Sequence, residues 1–157
     1  MDTPALLEFL DQHQIAYEFH EHVAVYTSQQ ARDLIAPLPG ASAKNLFLRD
    51  KKGKRHILLT VDDQKTVNLK SLAASQGISG LSLASPERLM THLGVTPGAV
   101  SLMALVNDAD HQVEVLIDEY LWSADALHAH PLVNTATLVI PMDGIRAFLT
   151  ATGHTPK

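Results

Sequence analysis

The sequence predicts an α/β fold of the α+β kind, with helices packed around a mixed, mainly antiparallel and partly barrel-like sheet. Helix and strand patterns interleave along the chain, and short hairpin turns join most strands. Neither GxGxxG after a first strand nor GxxxxGK[ST] occurs, which disfavours a doubly wound nucleotide fold. The chain has 157 residues, 46% of them hydrophobic and 18% charged, which predicts one globular domain over residues 1–157.

The first half of the chain predicts a helix, a strand, a second helix and a hairpin. The first helix begins with Thr3 as its cap and Pro4 in the first turn. A short strand follows in IAYEFHEH, and TSQQARDLI predicts a helix with a capping box at Thr27 and Gln30. The hairpin consists of NLFLRD and RHILLTV, and Gly53 between them suits a tight turn.

The second half predicts two helices, a second strand pair, a late strand and a closing helix. NLKSLAASQ ends at Gly77, and SPERLMTHLG begins at Ser85 and ends at Gly94. The strand pair is VSLMALVND at 100–108 and VEVLIDEYL at 113–121. TATLVIP then predicts a strand, and DGIRAFLTAT a C-terminal helix.

Composition excludes several function classes. The absence of cysteine rules out disulfides, thiol nucleophiles and thiolate metal sites. The net charge of −5 excludes a strongly basic nucleic-acid coat, although it allows a local basic patch. The acidic, amphipathic N-terminus lacks the features of a secretion signal, so the cytoplasm is the expected compartment.

The usual hydrolase signatures are weak or missing. His20 and His22, and likewise His128 and His130, form HxH pairs, but no third ligand stands at metal-site spacing. We therefore favour exposed or capping histidines and expect no metal and no cofactor. No GxSxG elbow presents a serine nucleophile, and the adjacent carboxylates of 62–63 would face opposite sides of a strand.

Four segments carry concentrated polar chemistry. Lys44 stands at the entrance of an apolar strand, where it could neutralise a phosphate or an oxyanion or simply lie over the sheet edge. GVTPGAVSL at 94–102 is a Gly/Pro loop that could aim N–H groups at an anion or only end a helix. HPLVNTAT at 130–137 holds groups that could bind a small polar ligand or cap their own turn. The basic run at 49–55 predicts a solvated hairpin tip or a phosphate contact.

The segments SAKNLFLRDKKGKRHILLTV, LGVTPGAVSLMAL and HPLVNTATLVI, in this order and spacing, resemble the YbaK/prolyl-tRNA synthetase editing-domain superfamily. The resemblance covers almost the whole chain and is strongest to the free-standing branch. It implies a hydrolase that clears alanine mischarged onto tRNA(Pro), acting in trans. It also implies a partly barrel-like mixed sheet surrounded by helices.

The resemblance implies site residues in three groups. The catalytic group is Lys44, Gly94, Gly98 and His130. The substrate-binding group is Asn45, Pro97, Ser101, Pro131, Asn134 and Thr137. The tRNA-binding group is Arg49, Lys51, Lys52, Lys54 and Arg55. The acceptor end of tRNA(Pro) is the expected partner, with prolyl-tRNA synthetase or an elongation factor as a protein partner and neither a membrane nor DNA.

The chemistry needs few specialised groups because an aminoacyl ester is already activated. Main-chain N–H groups of the 94–98 loop would stabilise the tetrahedral oxyanion, and Lys44 would hold the terminal phosphate or ester in register. No general base is assigned, and Leu46, Val100 and Leu102 are candidate walls of the amino-acid pocket. Three alternatives stay open: a Cys-tRNA(Pro) deacylase, a non-catalytic tRNA- or synthetase-binding module, and a metal-dependent hydrolase.

Overall fold

The computed structural model describes residues 1–24 and 38–156. The helices are α1 (Thr3–Gln12), α2 (Leu69–Gln76), α3 (Pro86–Leu93), α4 (Glu119–Trp122) and α5 (Met142–Thr152). The strands are β1 (Glu18–Glu21), β2 (Ala43–Asp50), β3 (His56–Asp62), β4 (Leu81–Leu83), β5 (Val113–Ile117), β6 (Ala126–Ala129) and β7 (Ala136–Pro141). The predicted helix at 27–35, with its capping box, lies outside the described residues.

In the described residues, seven strands form two sheets that meet along one edge. The first sheet has the order β1-β7-β6 and is antiparallel throughout. The second has the order β4-β2-β3-β5, in which only the β3–β5 pair is parallel. Ala41, just before β2, forms a parallel bridge to Leu127 of β6. The mixed, mainly antiparallel sheet with surrounding helices is confirmed, but the sheet does not close into a barrel.

The first predicted hairpin is confirmed, because β2 and β3 pair antiparallel across a turn in which Gly53 has a φ of +71°. Both middle helices are also confirmed. Asn68 caps α2 and Ser85 caps α3, and Gly77 and Gly94 end them in the left-handed conformation. The predicted cap of α1 was wrong: Asp2 accepts the N–H of Ala5, whereas Thr3 is already helical.

The second predicted strand pair was half wrong. Residues Leu102–Asn107 form a 3-10 helix rather than a strand, with four consecutive buried side chains at 102–105. A short continuous apolar run fits either structure, so periodicity could not separate them. The second strand is real but ends at Ile117, because Asp118 caps the short helix α4. Strands β4 and β6 were not predicted.

Two apolar clusters lie on opposite faces of the β2–β3 pair. The main core cluster contains Leu58 of β3 with Phe47 of β2 and is covered by α1, α3 and α5. The second cluster contains Leu48 and Leu59 with Ala73 of α2. Alternate side chains of a strand point to opposite faces, which fixes the direction of every residue along β2. Among the described residues no helix is long and apolar enough to span a membrane.

Candidate functional site

Lys44 lies near the start of β2, on the face that carries the second cluster. Its register partner on β3 is Val61, which belongs to that cluster, as does Leu46 packed beside it. The side chain is half-buried, and within residues 1–24 and 38–156 its ammonium makes no hydrogen bond or ion pair. A half-buried ammonium without a protein partner is available to an anionic ligand.

Asn45 points to the other face of β2 and does not join Lys44. Its Oδ1 accepts a 2.6 Å hydrogen bond from the hydroxyl of Thr60, its register partner on β3. Thr60 is buried, and Phe47 on the same face belongs to the main core cluster. The side-chain oxygen of Asn45 therefore satisfies a buried hydroxyl within the sheet.

The junction of the two sheets brings β2 beside β6. The N–H of Ala41 donates to Ala126 O at 2.9 Å, and the N–H of His128 donates to Ala41 O at 3.0 Å. Just before β2, the Ser42 hydroxyl lies 3.1 Å from Nδ1 of His128. Side chains two residues apart in a strand share a face, so we expect Lys44 and His130, each two residues further along, to lie on the same side.

The three-stranded sheet carries its own polar surface on that side. Leu127, Leu138 and Ile140 face the main core cluster, so the alternate residues face away from it. Thr137 of β7 pairs with His20 of β1, and His22 and His130 lie at the ends of the flanking strands. We call this surface the polar face; its members are His20, His22, His128, His130 and Thr137.

His130 is held firmly on the polar face. Its Nδ1 donates to Ala136 O at 3.0 Å, and its carbonyl accepts the Ser101 hydroxyl at 2.6 Å. Burial lowers the pKa of the His130 imidazole, and nearby His22 lowers it further, against the hydrogen bond to Ala136, which raises it. The ring is thereby kept neutral, with one nitrogen already committed to the backbone.

His22 is not among the site residues that the sequence predicts, but it contacts two of them. Its Nε2 lies 2.7 Å from the Thr137 hydroxyl, and its Nδ1 lies 2.7 Å from Val23 O. The rings of His22 and His130 approach edge-on, with centroids 6.3 Å apart. In the sequence the HxH pattern of His20 and His22 suggests a metal motif or exposed and capping histidines, whereas in the structure His22 contacts Thr137.

The Gly/Pro loop begins by ending helix α3, one of the two roles that the sequence predicts for it. The N–H of Gly94 donates to Met90 O and ends α3, so it is not available to an oxyanion. Pro97 and Gly98 lie in a short 3-10 turn, Pro97–Ala99, where Pro97 is exposed and Gly98 half-buried. Ser101 is 1% exposed, and its hydroxyl is used by His130 O, so it links the loop to the site without facing a ligand.

The HPLVN segment is an ordered turn before β7. Pro131 is buried, and its carbonyl accepts a 2.7 Å hydrogen bond from the Thr3 hydroxyl. Leu132 has a φ of +70°, a conformation that is costly for a branched side chain. Asn134 is half-buried and Thr137 is 7% exposed. Strain of this kind is concentrated where the surrounding structure fixes a functional geometry.

The three residues predicted to line the amino-acid pocket do not lie on the same side of the sheet. Leu102 is 1% exposed within the main core cluster, and Val100 packs against that cluster. Leu46 packs against the second cluster, on the opposite face. Of the three, only Leu46 shares the side of Lys44.

In the basic turn between β2 and β3, some charged side chains are exposed and others bond within the protein. Lys51, Lys52 and Lys54 are exposed. Arg55 makes a bidentate ion pair with Glu114, at 2.9 and 2.7 Å, and Arg49 donates to the carbonyls of residues 50 and 51. The three lysines can therefore contact a polyanion, whereas the two arginines hold the turn in shape.

The carboxylate of Asp50 stabilises this turn by accepting hydrogen bonds from its N–H groups. Its Oδ1 accepts the N–H groups of Lys54 and Arg55, at 2.8 and 3.1 Å. The N–H of Arg55 is the main reason that the pKa of the Asp50 carboxyl lies below its usual range. Arg88 of α3 supports the turn from outside by donating to Gly53 O at 3.2 Å.

A shallow depression of about 530 Å³ opens beside the start of β2. It is lined by Ala41, Glu119, Tyr120, Ser123, Ala124 and Asp125 and contains none of the predicted site residues. No three histidine or acidic side chains in the described part of the chain are grouped closely enough to hold a metal ion.

Comparison with known proteins gives matches over nearly the whole chain. The family described as "Aminoacyl-tRNA editing domain" matches residues 22–148. Prolyl-tRNA editing protein ProX of Acetoanaerobium sticklandii is 36% identical over 153 residues, covering 98% of this chain and 93% of that protein. Prolyl-tRNA synthetase associated domain-containing protein 1 of Danio rerio is 34% identical over 153 residues, covering 96% and 83%.

The fold is shared with a solved structure. A candidate trans-editing enzyme for prolyl tRNA synthetase superposes with a TM-score of 0.70, covering 100% of this chain and 96% of that one. The sequence identity is 18%, so this likeness concerns the fold alone.

Proposed function

This chain belongs to the aminoacyl-tRNA editing domain family, and on that premise we propose that it hydrolyses mischarged tRNA(Pro) in trans, with Ala-tRNA(Pro) as its substrate. The proposal is supported by the strand geometry, which is expected to put Lys44 and His130 on the same side. The contact between Ser42 and His128 joins the strands that carry them, and Lys44 has no competing partner among the described residues.

The proposed reaction is hydrolysis of an activated ester. Water adds to the carbonyl carbon, the bond to the terminal ribose oxygen breaks, and that oxygen takes a proton, which releases alanine and intact tRNA. The Lys44 ammonium neutralises the terminal phosphate or the developing oxyanion, a term that supplies about 3 kcal/mol in comparable sites. The neighbouring ribose hydroxyl helps to activate the water.

We propose that the oxyanion donor of the Gly/Pro loop is one N–H group rather than the whole 94–98 stretch. The N–H groups of Gly94 and Ala99 are donated to Met90 O and Thr96 O. Gly98 lies between them in the 3-10 turn and is half-buried, so its N–H takes the role first proposed for the whole 94–98 stretch. The hydrogen bond from Ser101 to His130 O holds this loop against the polar face.

Selectivity against the correct product is proposed to be steric. A chamber that accepts the alanyl methyl group excludes the three ring carbons of proline, because an apolar pocket rejects a larger ligand more strongly than a smaller one. Glycyl and seryl esters are therefore expected to be hydrolysed to some extent. We propose that Lys51, Lys52 and Lys54 hold the tRNA backbone, and that the protein acts in the cytoplasm with prolyl-tRNA synthetase or an elongation factor as a protein partner.

The test is deacylation of tRNA(Pro) charged in turn with alanine, cysteine, serine and proline, each with and without a chelator. The proposal predicts the fastest hydrolysis of the alanyl ester, little hydrolysis of the prolyl ester and no effect of the chelator. Preference for the cysteinyl ester would assign the chain to a different specificity. Binding of tRNA(Pro) without any hydrolysis would identify a non-catalytic module.

A further inference from the structure

The side chain of Arg88 connects helix α3 to the basic turn and to the start of β3. Its Nη1 lies 3.2 Å from Gly53 O in the turn and 3.1 Å from Nε2 of His56, the first residue of β3. The N–H of Arg88 donates to the Ser85 hydroxyl at 3.2 Å, which fixes this residue in the first turn of α3. One guanidinium nitrogen therefore serves both contacts, and a displacement of the group breaks them together.

The contact with Arg88 determines the protonation state of His56. A guanidinium group has donors and no acceptor, so Nε2 of His56 must accept this hydrogen bond. An imidazole that accepts at Nε2 is neutral and carries its hydrogen on Nδ1. His56 is 4% exposed, so water cannot solvate an added charge while the residue stays in place. Protonation of Nε2 therefore removes the acceptor and the hydrogen bond with it.

The side chains of α3 that face His56 are basic. Arg88 and His92 are four residues apart and share one face of the helix. The ring of His92 lies beside that of His56, with centroids 4.0 Å apart. An imidazolium at position 56 would thus meet a guanidinium and a second titratable ring on the same helix face.

The charged groups on the neighbouring strands do not neutralise this surface of α3. Arg49 is the register partner of His56 on β2 and adds another guanidinium. The nearby carboxylate of Asp50 accepts the N–H groups of residues 54 and 55. On β5 the register partner is a valine, and the following residue, Glu114, forms an ion pair with Arg55. These two carboxylates therefore already have partners within the turn and the sheet.

Burial is the main reason that the pKa of the His56 imidazole lies below its ordinary value. The charges of His92, Arg88 and Arg49 lower it further, whereas Asp50 acts in the opposite direction. The ring therefore stays neutral at neutral pH and takes up a proton only in a more acidic medium.

We propose that the hydrogen bond from Arg88 to His56 is a pH-dependent switch, which holds the basic turn in its tRNA-binding shape while His56 is neutral and releases it when His56 is protonated. The switch rests on the proposed function, because its output is the arrangement of the three exposed lysines of the turn. Repulsion moves the Arg88 guanidinium away from the imidazolium, and its bond to Gly53 O is lost at the same time. Arg88 is thus a positioning residue, which acts on the tRNA through the turn.

The first test follows the protonation of His56 by NMR in the protein without tRNA. Arg88→Met removes both a hydrogen-bond donor and a neighbouring positive charge, so the pKa of His56 should rise relative to the wild type. The signals of His13, an exposed histidine at the end of α1, should not differ between the two proteins. An unchanged pKa of His56 in a folded Arg88→Met protein would overturn the switch.

The second test measures the affinity for uncharged tRNA(Pro), which lacks the ester and so separates binding from the reaction. His56→Gln places an amide oxygen near the former Nε2, where it can accept from Arg88 but cannot titrate. From about pH 7.5 to about pH 5, the wild-type affinity should fall about fivefold relative to that of His56→Gln, the effect of losing one hydrogen bond. His13→Gln is the matched control and should follow the wild type, because the charge gained by the other histidines is common to these proteins.

The outcomes separate the switch from the proposed function. Equal pH dependence of binding in the wild type and in His56→Gln, with circular dichroism showing both folded at the lower pH, would overturn the switch alone. Failure of the wild type to hydrolyse any mischarged tRNA(Pro) at neutral pH would defeat the proposed function, and so would failure to bind it. In either case a raised pKa of His56 in Arg88→Met would still support the contact on which the switch depends.

Discussion

The hydroxyl of Ser42 lies 3.1 Å from Nδ1 of His128, and this contact joins the two sheets of the protein. The other ring nitrogen of His128 lies 2.7 Å from Pro39 O, so the imidazole links the segment before β2 to β6. Lys44 follows Ser42 by two residues and His130 follows His128 by two residues, so strand alternation predicts that the two side chains face the same side.

The charge of Lys44 is expected to contribute to the reaction and not to the stability of the folded protein. Replacing it with alanine should lower kcat/KM for Ala-tRNA(Pro) by about a hundredfold, the loss typical of removing one electrostatic contact to a developing oxyanion. The melting temperature should not fall, because the ammonium makes no hydrogen bond or ion pair within the described residues.

Lys70→Ala is the matched control for this experiment, since Lys70 is an exposed lysine of α2. It should leave kcat/KM unchanged. Activity of Lys44→Ala within a factor of two of the wild type would remove Lys44 from the reaction.

The exposed lysines of the β2–β3 turn are expected to contribute to tRNA affinity. Replacing Lys51, Lys52 and Lys54 together with alanine should weaken tRNA(Pro) binding and reduce the slope of log K against log salt concentration by about one for each phosphate that is no longer neutralised. Binding measured by titration at several salt concentrations gives this slope directly. An unchanged slope would show that the turn does not touch the nucleic acid.

Arg55 belongs to the same basic run but is expected to behave differently. Arg55→Ala removes both bonds to Glu114 and should lower the melting temperature, while changing the salt slope little. A large change in slope with unaltered stability would instead place Arg55 among the tRNA contacts.

Two glycines in the left-handed backbone conformation allow the effect of steric crowding in the basic turn on the unfolding free energy to be measured. Gly53 and Gly77 have φ values of +71° and +65°, so alanine at either costs about 1–2 kcal/mol of unfolding free energy. A Cβ at Gly53 would also lie 2.8 Å from Nη2 of Arg88 and 2.9 Å from Nη2 of Arg49, whereas one at Gly77 meets nothing within 4 Å. Gly53→Ala should therefore destabilise the protein more than Gly77→Ala in denaturant titrations; equal losses would mean that both arginines move aside freely.

The neutral state of His130 predicts the acidic side of the pH–rate profile. Because burial lowers its pKa below the ordinary 6.5, the ring stays neutral as the pH falls through that value and becomes protonated only further down. An activity that needs the neutral His130 ring should persist below pH 6.5 and decline at lower pH, as measured by kcat/KM for the alanyl ester. A decline centred at or above pH 6.5 would contradict this assignment.

The same shift has an effect on stability with a definite sign. Between the lowered pKa of the folded protein and the ordinary value of the unfolded chain, the unfolded state binds more protons at residue 130. The contribution of His130 to stability therefore declines as the pH falls below 6.5. In His130→Asn, chemical denaturation should show a weaker loss of stability over this interval than in the wild type.

The sequence predicted local structure well wherever a backbone requirement selects a residue type. Ser85, Gly77 and Gly94 end or begin helices because only certain residues satisfy those terminal N–H groups and left-handed angles. The apolar run at 102–105 could not be assigned in this way, since it is buried on all sides and Ser101 starts it as a 3-10 helix. Strand β6 was missed because its identity depends on its pairing with β7, which follows it in the chain.

The sequence predicted only part of the candidate site. The resemblance placed Lys44 and His130 together, and the register at the sheet junction supports that expectation. It could not reveal that Asn45 points to the opposite face or that His22 contacts Thr137. Each of these depends on a contact between residues distant in the chain or on which way a strand faces.

The most direct test of the account is a double-mutant cycle between Lys44 and His130, measured as kcat/KM for Ala-tRNA(Pro). If both side chains act on one bound aminoacyl end, Lys44→Ala combined with His130→Ala should lose much less than the product of the two single effects, because residues that act together are not additive. A double variant whose loss equals that product would show that the two residues do not share a site.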